Sequence, residues 1–371
     1  MRENSRRASL AATSGIAEPG TAEVREPSWE IAAQGARVRV RPVSAGRNVI
    51  DVQKIDESLP IKFSSLETAY DLDLIRLVLE VKGPAFLCDE IARDESPQYT
   101  GAALKWALLG YVGDEEFAGK RILDFGCGSG ASTVTLCRMF PTASVVGVDI
   151  DADSLRIARA RAKFYGLNNA KFILSEDGTR IPHTLGRFDH IVLCAVYEHL
   201  LPEERDTLLP SLWRTLEPGG VLFIRETPHR YFPIETHTTG GLPLINFLPR
   251  WAALRVTRRF SRHWRRDVTW PELLRAGIRG GTIGEIERIL ARSPGRARLL
   301  EPSRLGVRDR IDLWYYTAEK SSHADNKHRL YALLKALKRI TGIEFPPYLE
   351  LAFRKEPPRR SSTNDAVRTT G

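Results

Sequence analysis

Between positions 120 and 226 short apolar runs alternate with longer stretches of helical period. RILDF (121–125), SVVGVD (144–149), KFIL (171–174), FDHIVLCAV (188–196) and VLFIRE (221–226) have the length and unbroken apolarity of strands buried on both faces. The intervals read as helices. Residues 131–140 run from a glycine loop to Pro141, and 152–165 carry Leu155, Ala158, Ala162 and Tyr165 on one stripe before Gly166. The third, 203–216, opens after Pro202 and stops at Pro218-Gly219-Gly220. This alternation predicts a doubly wound α/β layer around a mostly parallel sheet.

The flanks are less regular. Residues 1–55 mix Gly, Pro, Ser and charge with little period beyond the alternating RVRVRPV (37–43), and read as a flexible leader. Residues 56–119 read as a helical cover, with helices over 64–81 and 98–110. After the core, 227–300 reads as an insertion. It starts with a Pro-, Thr- and Gly-rich loop over 227–249, continues in the basic-aromatic RWAALRVTRRFSRHWRR (250–266) and holds a helix over 283–292. Residues 301–355 should close the core: LLEPS and IDLWYYT could be strands, 328–340 repeats leucines at helical spacing, and LELAFRK (349–355) reads as a closing strand before a polar tail, 356–371.

Composition narrows the class. With 42% apolar and 27% charged residues over 371 positions, wholesale disorder and collagen-like structure are excluded. Cys88, Cys127, Cys137 and Cys194 form neither a disulfide framework nor a C-x-x-C pair, so a reducing interior fits and no metal is expected. No apolar run approaches the ~18 residues of a membrane span, and the N-terminus lacks a secretory apolar centre, which makes a cytoplasmic address the default. The net charge of +9 is concentrated after 227, where 28 Lys and Arg face 14 Asp and Glu. Such a surface attracts anions, and the stretch 250–266 could meet an anionic membrane surface; a solvated basic face is the plainer reading.

The chemistry lies in LDFGCGSG (123–130), which follows a strand and opens a helix. Its glycines let the backbone approach a ligand with no side chain between. Alone, the loop also fits the dinucleotide pattern from Gly126 to Ala131, with Asp149 further on, so it indicates a nucleotide-like cofactor and no more. With Asp124 two positions ahead it becomes D-x-G-x-G-x-G, and VVGVDID, SEDG, FDHIVLCAVYEHL and LEPGG follow in order. This set resembles the signature of class I S-adenosylmethionine-dependent methyltransferases, particularly small-molecule enzymes of the ubiquinone-pathway type.

The resemblance implies a Rossmann-like seven-stranded sheet with one reversed strand and S-adenosylmethionine as cofactor. It places Asp124 near the ammonium group, and Gly126, Cys127, Gly128 and Gly130 along the amino-acid part. Asp149 and Ile150 fall at the ribose, Asp177 and Gly178 at the adenine, and Cys194 beside the cofactor. It sets His199, after Glu198, at the border of the acceptor pocket, with Glu226, His229 and His237 as further candidates for a general base. Histidine suits that task because its ordinary pKa, about 6.5, lies near working pH. The acceptor implied is a small or lipid-linked molecule, with a hydroxyl favoured over carbon or nitrogen. Nucleic acid is disfavoured, because CAVY stands where an Asn/Asp-Pro-Pro-Tyr motif would be. Two alternatives stay open from sequence: a nicotinamide-dependent oxidoreductase, and a non-catalytic binding protein on the same fold.

Overall fold

The computed structural model describes residues 29–357 except 45, 262, 265 and 318–323, together with all side chains in that span but those of His183 and Ala324. The first 28 residues of the expected leader, and the expected tail from 358 on, lie outside the described residues.

From Trp29 onward the leader expectation is overturned. Strands β1 (Trp29–Ala33), β2 (Ala36–Ser44), β3 (Arg47–Lys54) and β4 (Ser65–Thr68) form an antiparallel sheet in sequential order. The alternation that looked polar is a half-buried strand: Ala36, Val38 and Val40 turn inward against Ile50 and Val52, while Arg37, Arg39 and Arg41 face water. The helix expected over 64–81 is accordingly shorter, because residues 65–68 pair with β3. Helix α1 (Leu72–Lys82) begins only where the Asp71 side chain accepts from the Leu74 N–H, and it ends at Gly83. Helices α2 (Leu87–Glu95) and α3 (Thr100–Leu109) complete the N-terminal part.

The core follows the predicted alternation: β5 (Arg121–Phe125), α4 (Ala131–Met139), β6 (Ser144–Asp149), α5 (Ala152–Phe164), β7 (Ala170–Leu174), β8 (Phe188–Cys194), α6 (Pro202–Thr215) and β9 (Leu216–Pro228). The insertion carries a two-stranded ribbon of β10 (Ile234–Glu235) and β11 (Leu242–Pro243). Helices α7 (Arg250–Phe260), α8 (Trp270–Arg275) and α9 (Ile283–Leu290) follow. Strand β12 (Ala297–Leu299), helices α10 (Arg310–Thr317) and α11 (Ala324–Thr341), and strand β13 (Tyr348–Lys355) close the fold. The IDLWYYT segment is therefore helical, not a strand. It shows no amphipathic stripe because α10 is wedged between α3, α11 and β13, which bury Ile311, Leu313 and Trp314 along with Arg310 and Asp312.

The main sheet has seven strands in the order β12-β13-β9-β8-β5-β6-β7. Strand β13 runs against both of its neighbours, so it is the one reversed strand that the resemblance implies. A buried latch ties the N-terminal part to this core. Arg161 on α5 is fully buried; its Nη1 donates to Glu90 Oε1 at 3.0 Å and to the Ser129 carbonyl at 2.8 Å, and its Nη2 pairs with Asp94 Oδ1 at 3.3 Å. Burial, the largest influence, would raise the Glu90 pKa, but Arg161, Arg93, the Ser129 hydroxyl and Lys82 together outweigh it and hold that carboxyl below its ordinary value. Among the described residues, no helix is long and apolar enough to cross a membrane.

Candidate functional site

Strand β5 lies between β8 and β6, so the chain crosses to opposite sides of the sheet at this point, and ligands of open α/β folds bind outside the carboxyl ends of such strands. The glycine loop sits there. Gly126 and Cys127 donate their N–H groups to the Val148 carbonyl at 2.8 and 3.1 Å, which folds the loop back over β6. Gly128, at φ +52°, donates to Asp149 Oδ2 at 2.7 Å, and a Cβ added to it would meet nothing within 4 Å. Bare backbone therefore faces open space. Gly130, at φ +82°, lies so close to α5 that a Cβ would come within 2.6 Å of the Ala158 Cβ.

The loop walls a cavity of about 480 Å³. Gly126, Cys127, Gly128, Ser129, Ala131 and Ser132 form one side, and Arg93, Tyr99, Thr100 and Ala103 reach in from the N-terminal helices. Cys194, Ala195, His199, Arg225, Glu226 and Thr317 form the remainder. Asp124 is buried at the end of β5, where the Ser132 and Thr133 hydroxyls donate to its Oδ2, both at 2.6 Å. Its Oδ1 has no hydrogen-bond partner among the described residues, and burial pushes the carboxyl up to about 6. Asp149 braces the loop and also accepts from the Asp151 N–H at 2.9 Å. Asp177 stands apart from this pair. Its Oδ1 accepts from the Thr179 hydroxyl and N–H, both at 2.6 Å, and those bonds hold its carboxyl below the ordinary value. The turn it caps lies at the carboxyl end of β7, where Gly178 approaches Ile150. Burial raises the Cys127 and Cys194 thiols, so both are protonated packing groups.

A second cavity, of about 300 Å³, is lined by Ala195, Glu226, His237, Trp314, Thr317, Tyr348 and Glu350. Ala195, Glu226 and Thr317 belong to both cavities. Ala195 (φ +52°) and Glu226 (φ +61°) hold the left-handed conformation just past the end of β8 and near the end of β9. Each such residue costs about 1–3 kcal/mol and persists where its surroundings fix it. Here a buried guanidinium helps: Arg225 donates to Glu226 Oε1 at 3.0 Å and faces Glu350 Oε2 at 3.6 Å. Burial pushes Glu350 up to about 7 despite that arginine, with Glu226 adding to the rise.

Of the residues expected around the acceptor, Glu198, His199 and His237 come together, and Glu226 stands on the wall between the cavities. His199 Nδ1 lies 2.7 Å from the Arg275 carbonyl, Nε2 lies 3.7 Å from Glu198 Oε1, and the two imidazole centroids are 5.5 Å apart. His237 is pushed down by burial and by its neighbour His199. His229 is not part of the group. It packs against Phe345 with ring centroids 4.8 Å apart, burial pushes it down to about 4, and it lines neither cavity. Sequence reasoning missed Arg225 and Glu350, although a charge inside an apolar strand run (VLFIRE, LELAFRK) was a usable signal. Trp314, Thr317 and Tyr348 carried no such mark.

Residues 122–220 match the family model described as a methyltransferase domain. Over 256 residues the chain is 29% identical to the trans-aconitate 2-methyltransferase of Variovorax paradoxus, spanning 68% of this chain and 81% of that protein. It is 35% identical over 128 residues to the demethylmenaquinone methyltransferase of Thermus thermophilus, spanning 34% of this chain and 56%, little more than half, of that one. Among solved structures, the magnesium protoporphyrin IX methyltransferase of Synechocystis PCC 6803, with S-adenosylmethionine bound, is 17% identical. That match covers 55% of this chain and 71% of that one, with a TM-score of 0.34.

Proposed function

The chain carries a class I S-adenosylmethionine-dependent methyltransferase domain with S-adenosylmethionine as its cofactor, and from that premise we propose that it methylates an oxygen of a small-molecule or lipid-linked acceptor. The observation that carries this reading is the pair of cavities sharing Ala195, Glu226 and Thr317, one against the glycine loop and one beside it. The residues fit the cofactor. A Cβ at Gly128 would occupy the open space where the amino-acid part can lie, and the unpartnered oxygen of Asp124 is left for a cationic group. When bound, the cofactor supplies a methyl already activated by positive sulfur.

The protein's share is alignment and the exclusion of water. Asp124 and the backbone of 126–130 would hold the amino-acid end, Asp149 the ribose, and the Asp177–Gly178 turn the adenine. The acceptor would lie against Trp314 and Tyr348, in a cavity whose lining also includes Glu226, His237 and Thr317. His199, whose Nδ1 faces a carbonyl and therefore carries the proton there, has Nε2 free to take a proton from an acceptor hydroxyl. Glu226, on the wall between the cavities, is the second candidate for that role.

Calorimetry and a labelled-methyl assay test the reading together. S-adenosylhomocysteine should bind and NADH should not, and labelled methyl should pass to a fraction of small metabolites or lipids as an oxygen-linked group. NADH binding without S-adenosylhomocysteine binding would overturn the assignment. Cofactor binding with no transfer to any fraction would favour a binding protein on this fold.

A further inference from the structure

We propose that Glu198, His199 and His237 form a binding site for a divalent transition-metal ion, of the zinc type, at the acceptor side of the cavities. The site deepens the proposed function, resting on it only for what completes the coordination, an oxygen of the acceptor. One ligand atom from each of the three residues lies within 4.8 Å of the others. Nitrogen and carboxylate ligands sit about 2.0–2.2 Å from zinc, so a sub-ångström closure of the side chains brings all three onto one ion. Two imidazoles and one carboxylate are a donor set that suits zinc and its neighbours better than magnesium or calcium.

Three further observations point the same way. The Glu198 side chain is fully buried, yet its Oε1, 3.7 Å from His199 Nε2, has no hydrogen-bond partner among the described residues. An orphaned carboxylate oxygen in the interior is costly unless something charged meets it. The other carboxylate oxygen accepts from the Thr227 hydroxyl at 3.2 Å, which fixes the carboxylate's orientation. His199 in turn directs Nδ1 at the Arg275 carbonyl, the arrangement that leaves Nε2 as a ligand and holds the ring in place.

The roof is built to match. Gly277, at φ +97°, lies so close that a Cβ would come 2.7 Å from the His237 ring and 3.2 Å from the Glu198 Cγ. His199 lines the cavity of the glycine loop and His237 the second cavity, so an ion held between them would expose its remaining positions toward the acceptor space. There it would bind and orient acceptor oxygens; with the ion in place His199 Nε2 is a ligand, and taking the acceptor's proton falls to Glu226 on the wall between the cavities.

Cobalt(II) is the probe, because its visible absorption reports the ligand set. Full-length protein treated with a chelator and then titrated with Co²⁺ should bind one ion per chain with a ligand-field spectrum, and Zn²⁺ should displace it. His237→Ala and Glu198→Gln should each weaken Co²⁺ binding at least tenfold, while His328→Ala, an exposed histidine elsewhere, should not. S-adenosylhomocysteine affinity, measured on the same samples with and without metal, reports folding and the cofactor site independently. If the stripped wild type binds S-adenosylhomocysteine but no Co²⁺, the metal site fails and the methyltransferase reading stands. Equal Co²⁺ affinity in wild type and in a His237→Ala variant that still binds S-adenosylhomocysteine would also overturn it.

Discussion

Asp149 receives the Gly128 and Asp151 N–H groups on its two oxygens, so it fixes the loop whose bare backbone faces the cavity. Replacing it with alanine removes the charged acceptors that hold the loop and, in the proposed placement, the one that would meet a cofactor hydroxyl. S-adenosylhomocysteine binding should weaken by about 1–3 kcal/mol in calorimetry, and unchanged affinity would contradict the assignment. Glu350 makes a different test. Burial raises its folded pKa to about 7, above the ordinary 4.5, so the folded protein favours the neutral acid. That contribution is fully present below about pH 4.5 and is lost as pH rises through 7. Glu350→Gln mimics the neutral form at every pH. The variant should therefore gain on the wild type, by on the order of 3 kcal/mol, between pH 4 and pH 9 in urea unfolding. A pH-independent difference would show that the carboxyl titrates normally. The grouping of Asp124 and Asp149 about the glycine loop was readable because those residues lie close together in a short motif. Glu350 offered only its charge inside an apolar run; its pairing was hidden, since Arg225 comes from a strand more than a hundred residues earlier.

At the scale of elements, α5 links the glycine loop to the N-terminal helices through Arg161. Its guanidinium meets Glu90, Asp94, Tyr70 and the Ser129 backbone, all within 3.3 Å and all out of water. Removing one partner of such a buried pair leaves the other charges uncompensated, at about 3–5 kcal/mol. Arg161→Met should therefore lower the thermal midpoint by several degrees and also weaken S-adenosylhomocysteine binding, because Ser129 loses its anchor. A lowered midpoint with unaltered affinity would mean that the latch serves stability alone. The sequence disclosed the strands and helices of the core, where apolar runs and glycine or proline stops agree. It concealed β1–β3, since three outward arginines gave that segment the composition of a leader while its alternate positions built a sheet. It also concealed the helical state of α10, because contact on three sides erases the amphipathic stripe that periodicity detects.

On the scale of the whole molecule, the two cavities draw on segments far apart in the chain. The glycine loop and N-terminal helices wall the first; the insertion, α10 and β13 wall the second; the ends of β8 and β9 stand between them. This division predicts that the two binding functions separate on mutation. Tyr348 lines only the second cavity, at the start of β13, with its hydroxyl 3.4 Å from that of Thr236. Tyr348→Leu keeps apolar volume but removes the ring face and the hydroxyl. With the acceptor-bearing fraction as substrate, its KM should rise about tenfold, the equivalent of about 1.4 kcal/mol, while S-adenosylhomocysteine affinity stays within about twofold. A loss shared equally between the two ligands would mean that the cavities act as one pocket. In that case the left-handed Ala195 and Glu226 would not divide cofactor from acceptor, and their strain would need another purpose.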